Sequence, residues 1–212
     1  MKLYSYFRSS AAYRVRLALA LKDLSADVIA VHLLKNGGEQ HSPSYKQIHT
    51  GALVPAMIDG DVVLTQSLSI LEYLEERFPT PALLPEDTAQ RALIRAFCLS
   101  IACDIHPLNN LRVLQYLTQT LELNESQKDA WYAHWIHLGF ASLEQQLQHS
   151  NGQFCFGEHA TFADCCLIPQ VYNAYRFHLD LSAYPKIQAI YRHCTALAAF
   201  QQAAPDAQPD AI

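Results

Sequence analysis

The spacing of hydrophobic and polar positions divides the chain into two parts of different character. As far as residue 78, short apolar strand patterns alternate with helical patterns. From residue 87 onward, apolar residues recur at spacings of three and four over long stretches with almost no glycine. Alternation is typical of strands, whereas spacings of three and four are typical of helices. The pattern therefore predicts an α/β part followed by an all-helical part.

The chain begins with the pattern of a strand, a helix and a second strand. Apolar residues mark strands at residues 3–7 and 26–34, and a helical pattern runs between them from the pair Ser9-Ser10. Serine is a good N-cap because its hydroxyl accepts a hydrogen bond from an unpaired backbone N–H. Two strands separated by one helix within about 30 residues predict a βαβ unit with a parallel pair.

A hairpin and a further helix complete the α/β part. Residues 35–51 are polar and predict a loop with at most one short helix. Two apolar runs flank Asp59-Gly60, a dipeptide that is typical of tight hairpin turns. Pro55 lies at the front of the first run, where proline is least disruptive in a strand. Ser67 is the expected N-cap of the helix that follows.

A proline-rich segment marks the boundary between the two parts. Three prolines stand within residues 79–85 and cannot continue the preceding helix. We therefore assign residues 1–80 to the first domain, residues 81–87 to a linker and residues 88–212 to the second domain.

The second domain is expected to contain long packed helices. Residues 87–121 predict one helix that is kinked at Pro107, and residues 125–149 predict another. Thr161 and Asp164 resemble a capping box in front of a largely apolar helix at the centre of this domain. Residues 205–212 are expected to be loosely held.

Charge and composition argue against several classes of partner. The 212 residues carry a net charge of −5, and their Lys and Arg residues are scattered, which offers no general attraction for nucleic acid. The opening residues lack the apolar core of a signal peptide, and no apolar run approaches the roughly 18 residues that span a bilayer. We expect a cytoplasmic protein that binds neither nucleic acid nor membrane.

The cysteines and histidines do not predict a metal site. The six cysteines form no CxxC pair, and most stand in apolar helical surroundings, so we interpret them as small buried residues. His134 and His137 could share a metal ion, but no third ligand follows at a convincing spacing.

Several motifs together resemble one known family. The run Ser9-Ser10-Ala11-Ala12-Tyr13-Arg14-Val15-Arg16-Leu17-Ala18-Leu19 is similar to the signature of the zeta class of glutathione transferases, which comprises the maleylacetoacetate and maleylpyruvate isomerases. Further segments also resemble that class, namely Val54-Pro55, Gln66-Ser67 and residues 79–85, 106–110 and 169–171. The resemblance covers essentially the whole chain. It implies an N-terminal thioredoxin-like βαβ-ββα domain, an all-helical C-terminal domain and a homodimer.

The resemblance also implies a site for glutathione and a small unsaturated dicarboxylate. Ser9 is assigned to the thiol, with Ser10 as its helper, because a hydroxyl and a helix N-terminus both stabilise a thiolate. The residues implied to contact the remainder of the tripeptide are Gln40, Val54, Pro55 (carried as cis), Gln66, Ser67, His106, Asn110 and Arg112. Arg8 and Arg176 are the candidates for the substrate carboxylates, since guanidinium binds carboxylate in a two-pronged way. Arg14 and Arg16 are interpreted as helix-face residues.

The activity implied by the resemblance is glutathione-dependent cis-trans isomerisation of maleylacetoacetate in aromatic amino-acid breakdown. Three alternatives stay open: maleylpyruvate isomerisation in gentisate breakdown, general conjugation of glutathione, and a non-catalytic binding role for the same fold. The chain departs from the family at Ala11, where cysteine is usual. A mechanism that needs a protein thiol at that position is therefore excluded.

Overall fold

The computed structural model of the protein describes residues 1–211 and divides into two compact units. Met1–Leu83 forms the first unit together with the segment that begins at Thr195, and Leu84–Cys194 forms the second. The sequence pattern assigns residues 88–212 to the second domain. The structure instead places the described part of the segment from Thr195 onward in the first unit.

The first unit is built on a four-stranded sheet. Its strands are β1 (Lys2–Ser5), β2 (Asp27–Ala30), β3 (Ala56–Asp59) and β4 (Val62–Thr65), and its first three helices are α1 (Ser10–Leu21), α2 (Pro43–Ile48) and α3 (Ser67–Arg77). The strand order is β2-β1-β3-β4, with β1 parallel to β2 and the other neighbours antiparallel. The predicted βαβ-ββα arrangement is confirmed, including the hairpin between β3 and β4.

A buried ion pair fixes the segment that follows α3. Lys22 Nζ lies 2.6 Å from Glu75 Oε2 and also donates to the carbonyl oxygens of Phe78 and Pro81. Glu75 in turn accepts a hydrogen bond from the N–H of Leu83. Buried charges are tolerated when they are paired and hydrogen-bonded in this way. The proline-rich segment as far as Leu83 is therefore tied to the first unit.

The second unit consists of helices. They are α4 (Thr88–Leu99), α5 (Leu111–Gln119), α6 (Glu125–Leu147), α7 (Phe162–Arg176) and α8 (Pro185–Thr195). The long helix predicted for residues 125–149 is confirmed as α6. No helix within residues 1–211 combines the length and apolar character that crossing a membrane would require.

The single kinked helix predicted for residues 87–121 is wrong, because the chain forms two helices there. After α4 it passes through a π-helical turn at Ser100–Ile105 and a 3-10 turn at His106–Asn109 before α5 begins. Pro107 lies in the first turn of that 3-10 segment. Its ring clashes with the preceding turn and it lacks an N–H, so the α-helix ends before it.

The capping box predicted before α7 is confirmed and is fully buried. Thr161 Oγ1 accepts from the N–H of Ala163, and Asp164 Oδ2 accepts from the N–H and the hydroxyl of Thr161. The other carboxylate oxygen of Asp164 accepts from the N–H of Cys155 at 2.8 Å. Burial raises the pKa of Asp164 above its ordinary value, although these hydrogen bonds oppose the shift.

The described part of the C-terminal tail is held against the first unit, so the prediction that residues 205–212 are loose is wrong for residues 205–211. Helix α9 (Ala198–Ala203) packs on α1, and Pro205 is buried. Asp210 Oδ2 accepts a hydrogen bond of 3.0 Å from the N–H of Phe7. Because these contacts are long-range, no local pattern in the tail predicts them.

Candidate active site

Three of the predicted site segments leave the sheet at the same end. Strand register pairs the first residue of β3 with the last residue of β4 and with the third residue of β1. Ser9 follows β1, Val54 precedes β3, and Ser67 follows β4. The topology of the first unit therefore brings a helix start, an extended segment and a second helix start to one edge of the sheet.

Ser9 caps α1 and keeps a hydrogen to donate. Its Oγ accepts a hydrogen bond of 3.2 Å from the N–H of Ala12, as expected for an N-cap. Among the described residues, nothing accepts a hydrogen bond from this hydroxyl. Ser9 is partly exposed, whereas Ser10 is buried in the first turn of the helix. The geometry therefore suits Ser9 better than Ser10 as a donor to an external anion.

Arg8 adds a positive charge beside that hydroxyl. It is exposed, and its guanidinium carbon lies 4.8 Å from the centroid of the Phe7 ring. A guanidinium stacked on an aromatic face stays charged and keeps its edge free for an anion. Arg8 can thus bind a carboxylate next to Ser9.

Val54 offers an open stretch of main chain. The Val54-Pro55 peptide bond is cis, in agreement with what the resemblance implies. Neither the N–H nor the carbonyl of Val54 has a hydrogen-bond partner within residues 1–211. The neighbouring carbonyl of Leu53 accepts a bond of 2.6 Å from the hydroxyl of Tyr45 on α2, which anchors the segment. A peptide can add to such a segment in the manner of a strand.

The prediction that Ser67 caps α3 is wrong, because the cap position belongs to Gln66. Gln66 has a φ of 67° and makes no side-chain capping bond, so α3 begins at Ser67. A left-handed backbone at a residue other than glycine is uncommon and is often found at functional positions. A helix start that no side chain caps leaves N–H groups available to an anion. Ser67 itself is buried, and its Oγ accepts a bond of 3.1 Å from Arg14 Nη1.

Gln40 is a buried residue of the first unit and lies in the segment between β2 and α2. Its Nε2 donates to the carbonyl of Leu33 at 3.3 Å, while its Oε1 is buried with no partner among the described residues. Gly38 packs against this side chain, where a Cβ atom would lie 2.5 Å from the Gln40 amide. An unpaired buried carbonyl oxygen is unfavourable. This residue is therefore suited to receive an N–H from a bound peptide.

The remaining predicted residues lie in the second unit. His106, Asn110 and Arg112 fall in one short stretch, in which Asn110 caps α5 by accepting from the N–H of Val113 at 3.2 Å. Arg112 is exposed in the first turn of α5. These three residues are thus neighbours in sequence around the start of α5.

Arg176 ends α7 with an exposed guanidinium that is held in place. Its Nε donates to Asn173 Oδ1 at 3.3 Å, and its guanidinium carbon lies 4.6 Å from the centroid of Phe177. Phe177 stacks on Tyr132, with ring centroids 3.8 Å apart. The two terminal nitrogens make no hydrogen bond within the described residues and can bind a carboxylate.

The interpretation of Arg14 and Arg16 as helix-face residues is wrong, since both are buried. All three guanidinium nitrogens of Arg16 donate hydrogen bonds. Their acceptors are the Ser5 hydroxyl and the carbonyl oxygens of Tyr6, Phe7 and Ala203. The signal that could have revealed this lies in α1 itself. Apolar residues occur on every side of that helix, which leaves it without a polar face for an arginine to occupy.

Together these groups fit glutathione rather than a metal ion. Open main chain at one segment, an uncapped helix start and an unpaired amide oxygen match the peptide and carboxylate groups of a tripeptide. Within residues 1–211, no cluster of three or more His, Cys, Asp or Glu residues could hold a metal ion.

Comparisons with known proteins agree with this chemistry. Residues 1–76 match the family model "Glutathione S-transferase, N-terminal domain", and residues 109–202 match "Glutathione S-transferase, C-terminal domain". A relative from Vibrio cholerae, a probable maleylacetoacetate isomerase, is 52% identical over 99% of this chain and 97% of its own length.

Two solved structures are similar over their full length. The holo structure of a bacterial maleylpyruvate isomerase, a zeta-class glutathione transferase, has a TM-score of 0.97 and is 45% identical, with 100% of both chains covered. A maleylacetoacetate isomerase from Methylobacterium extorquens AM1, solved with bound malonate and glutathione, has a TM-score of 0.95 and is 37% identical, again with 100% of both chains covered.

Proposed function

Because the chain belongs to the zeta class of the glutathione transferase family, we propose that it is a glutathione-dependent cis-trans isomerase. The proposed reaction converts maleylacetoacetate to fumarylacetoacetate in the breakdown of tyrosine and phenylalanine. The 52% identity to a probable maleylacetoacetate isomerase supports this substrate. The observation that carries the proposal is Ser9, whose free hydroxyl hydrogen stands at a helix start on the edge of the sheet.

The chemistry supplied by bound glutathione is a thiolate that adds to the conjugated double bond, allows rotation about the resulting single bond, and then leaves. The protein must favour that thiolate. A thiol with a pKa near about 8.5 is only a few per cent ionised at neutral pH, and lowering the pKa by about two units requires roughly 2.7 kcal/mol. A hydrogen bond from Ser9 and the N-terminus of α1 can together supply this amount.

The other residues bind and orient the two ligands. We assign the γ-glutamyl carboxylate to Gln66 and Ser67 and the cysteinyl main chain to Val54, next to Pro55. Ser10 is assigned as the helper of Ser9 at the thiol. The residues assigned to contacts along the peptide are Gln40, His106, Asn110 and Arg112. Negative charge develops on the substrate during addition, and Arg8 and Arg176 are assigned to its carboxylates. The Methylobacterium extorquens isomerase was solved with both malonate and glutathione bound, which supports a dicarboxylate ligand.

The decisive experiment is an isomerase assay with and without glutathione. We expect turnover of maleylacetoacetate that requires glutathione and is absent with S-methylglutathione, which binds without a free thiol. Turnover that continues undiminished without glutathione would contradict the proposal.

Maleylpyruvate is the second candidate substrate. It is favoured by the TM-score of 0.97 to a maleylpyruvate isomerase. The ratio of kcat/KM for the two substrates, measured on one preparation, decides between them. Conjugation of glutathione to chlorodinitrobenzene tests general transferase activity, and glutathione binding without any turnover would indicate a non-catalytic role.

We further propose a cytoplasmic homodimer. Exposed apolar side chains support an interface, among them Val62 and Val63 on β4 and Leu93 and Leu99 on α4. The free thiols of the described structure fit a reducing compartment. Sedimentation equilibrium should give twice the chain mass, and cell fractionation should recover the protein with cytoplasmic markers.

A further inference from the structure

Arg14 is a buried cation without a counter-ion among residues 1–211. It is 2% exposed, and its only hydrogen bond among the described residues runs from Nη1 to Ser67 Oγ. Within the part of the chain that the structure describes, its Nε and Nη2 are buried without partners and no carboxylate forms an ion pair with it. Arg16, two residues further along α1, has acceptors for all three nitrogens. An unpaired buried charge is strongly unfavourable, so Arg14 needs an explanation that Arg16 does not.

The bond between Arg14 and Ser67 fixes the direction of the serine hydroxyl. A guanidinium has donors only, so Ser67 Oγ must be the acceptor. The hydrogen of Ser67 then points away from Arg14, and no described residue accepts it. Ser67 is the first residue of α3, where the helix N-terminus already favours an anion.

From this arrangement we infer that Arg14 is a positioning residue for glutathione: it orients the Ser67 hydroxyl as a donor to the γ-glutamyl α-carboxylate and supplies the positive charge behind it. The inference rests on the proposed binding of glutathione at this site. The ligand carboxylate is the anion that the buried guanidinium lacks among the described residues. Arg14 acts through Ser67, so its effect depends on that carboxylate and on no other part of the tripeptide.

The test compares two ligands by isothermal titration calorimetry. One is glutathione, and the other is its analogue in which the γ-glutamyl α-carboxylate is a carboxamide. We expect the wild-type protein to bind the analogue about tenfold or more weakly, the range of a hydrogen bond to a charged group. In Arg14→Gln this ratio of Kd values should fall to about threefold or less. Arg14→Lys, which keeps a charged donor, should restore most of it.

Arg16→Gln is the matched control, because it removes a buried arginine from the same helix. It should lower the unfolding midpoint and leave the ratio of Kd values unchanged. A wild-type ratio in Arg14→Gln would overturn the inference, since the arginine would then be merely structural. If Arg14→Gln does not fold, Ser67→Ala decides the matter: the ratio must fall there too, and an unchanged ratio overturns the inference.

The same titration separates this inference from the proposed function. If the wild-type protein binds neither ligand, the proposed function fails and the role of Arg14 fails with it. If it binds both equally well, the isomerase proposal stands and only the role of Arg14 is overturned.

Discussion

The hydroxyl of Ser9 has two separate roles, one structural and one proposed to be catalytic. It accepts from the N–H of Ala12 and keeps its own hydrogen for an external anion. We predict that Ser9→Ala lowers kcat at least tenfold and leaves the Kd for glutathione nearly unchanged. Loss of the cap should also lower the free energy of unfolding by about 1 kcal/mol. Steady-state kinetics, calorimetry and urea unfolding measure these quantities.

Two variants separate the roles of Ser9. Ser9→Gly removes the hydroxyl but is a tolerable N-cap, so its stability should stay within a few tenths of a kcal/mol of wild type while kcat stays low. Ser9→Thr keeps both functions and should retain most of the activity. Wild-type turnover in Ser9→Ala would remove Ser9 from the mechanism.

Single residues also mark where prediction from the sequence reached its limit. The resemblance named Ser9 and Ser67 because they stand in motifs, and the structure brings both to one edge of the sheet. It did not reveal the pairing of Ser67 with Arg14, 53 positions apart. Such a pairing depends on how α1 and α3 pack, and neither local propensity nor spacing encodes it.

At the scale of elements, α7 starts from a buried capping box that we expect to be important for stability. Asp164 accepts three hydrogen bonds with two oxygens. In Asp164→Asn one carboxylate oxygen becomes an amide NH2 group, which cannot accept and therefore leaves at least one buried N–H without an acceptor. We predict a loss of about 2–4 kcal/mol in the free energy of unfolding, measured by urea denaturation.

Asn124 provides the control for that prediction. It forms the same kind of capping box with Gln127 at the start of α6, but both residues are exposed. Asn124→Ala should lower the free energy of unfolding by only about 1 kcal/mol. Equal losses in the two variants would mean that burial adds nothing to the α7 motif.

His49, the C-cap residue that follows helix α2, should make the stability of the protein depend on pH. His49 is buried, and its Nδ1 accepts from the N–H of Gly51 at 3.1 Å, which requires a neutral ring nitrogen. Burial lowers the pKa of His49 below its ordinary value of 6.5. As pH falls below 6.5, the unfolded chain therefore binds a proton that the folded chain does not, so stability should decrease.

We predict that His49→Asn reduces this loss of stability between pH 7.5 and 5.5. Urea unfolding midpoints across that range measure it, with His149→Asn as the control because His149 is exposed. A wild-type pH dependence in His49→Asn would show that other histidines are responsible.

Helices and strands could be predicted from the sequence wherever the apolar spacing or a turn dipeptide was not contradicted by a second local effect. The uninterrupted spacing over α6 and the Asp-Gly turn before β4 both gave correct predictions. At Pro107 the apolar spacing continued, but the missing N–H broke the helix. At Gln66 a positive φ moved the start of α3, and a hydrophobic pattern carries no information about that dihedral.

At the scale of the whole molecule, the first unit is closed by the far end of the chain. Two bonds hold Phe7, one from its N–H to Asp210 and one to its carbonyl from Arg16. Arg8 and Ser9 follow Phe7 directly. The sequence could not predict this closure, because the tail is polar and the contact joins positions 203 residues apart.

We predict that Asp210→Ala loosens the turn that presents Ser9. Loss of the bond to Phe7 should lower the free energy of unfolding by about 1 kcal/mol. It should lower kcat more than it raises the Kd for glutathione, because Ser9, the proposed hydrogen-bond donor to the thiolate, lies next to the freed segment. Asp61→Ala, an exposed change of the same charge on the β3-β4 turn, should alter neither quantity. Amide hydrogen exchange of residues 7–9 gives a direct reading: protection should drop in Asp210→Ala alone. Unchanged protection together with reduced kcat would mean that the tail influences the site by some route other than this hydrogen bond.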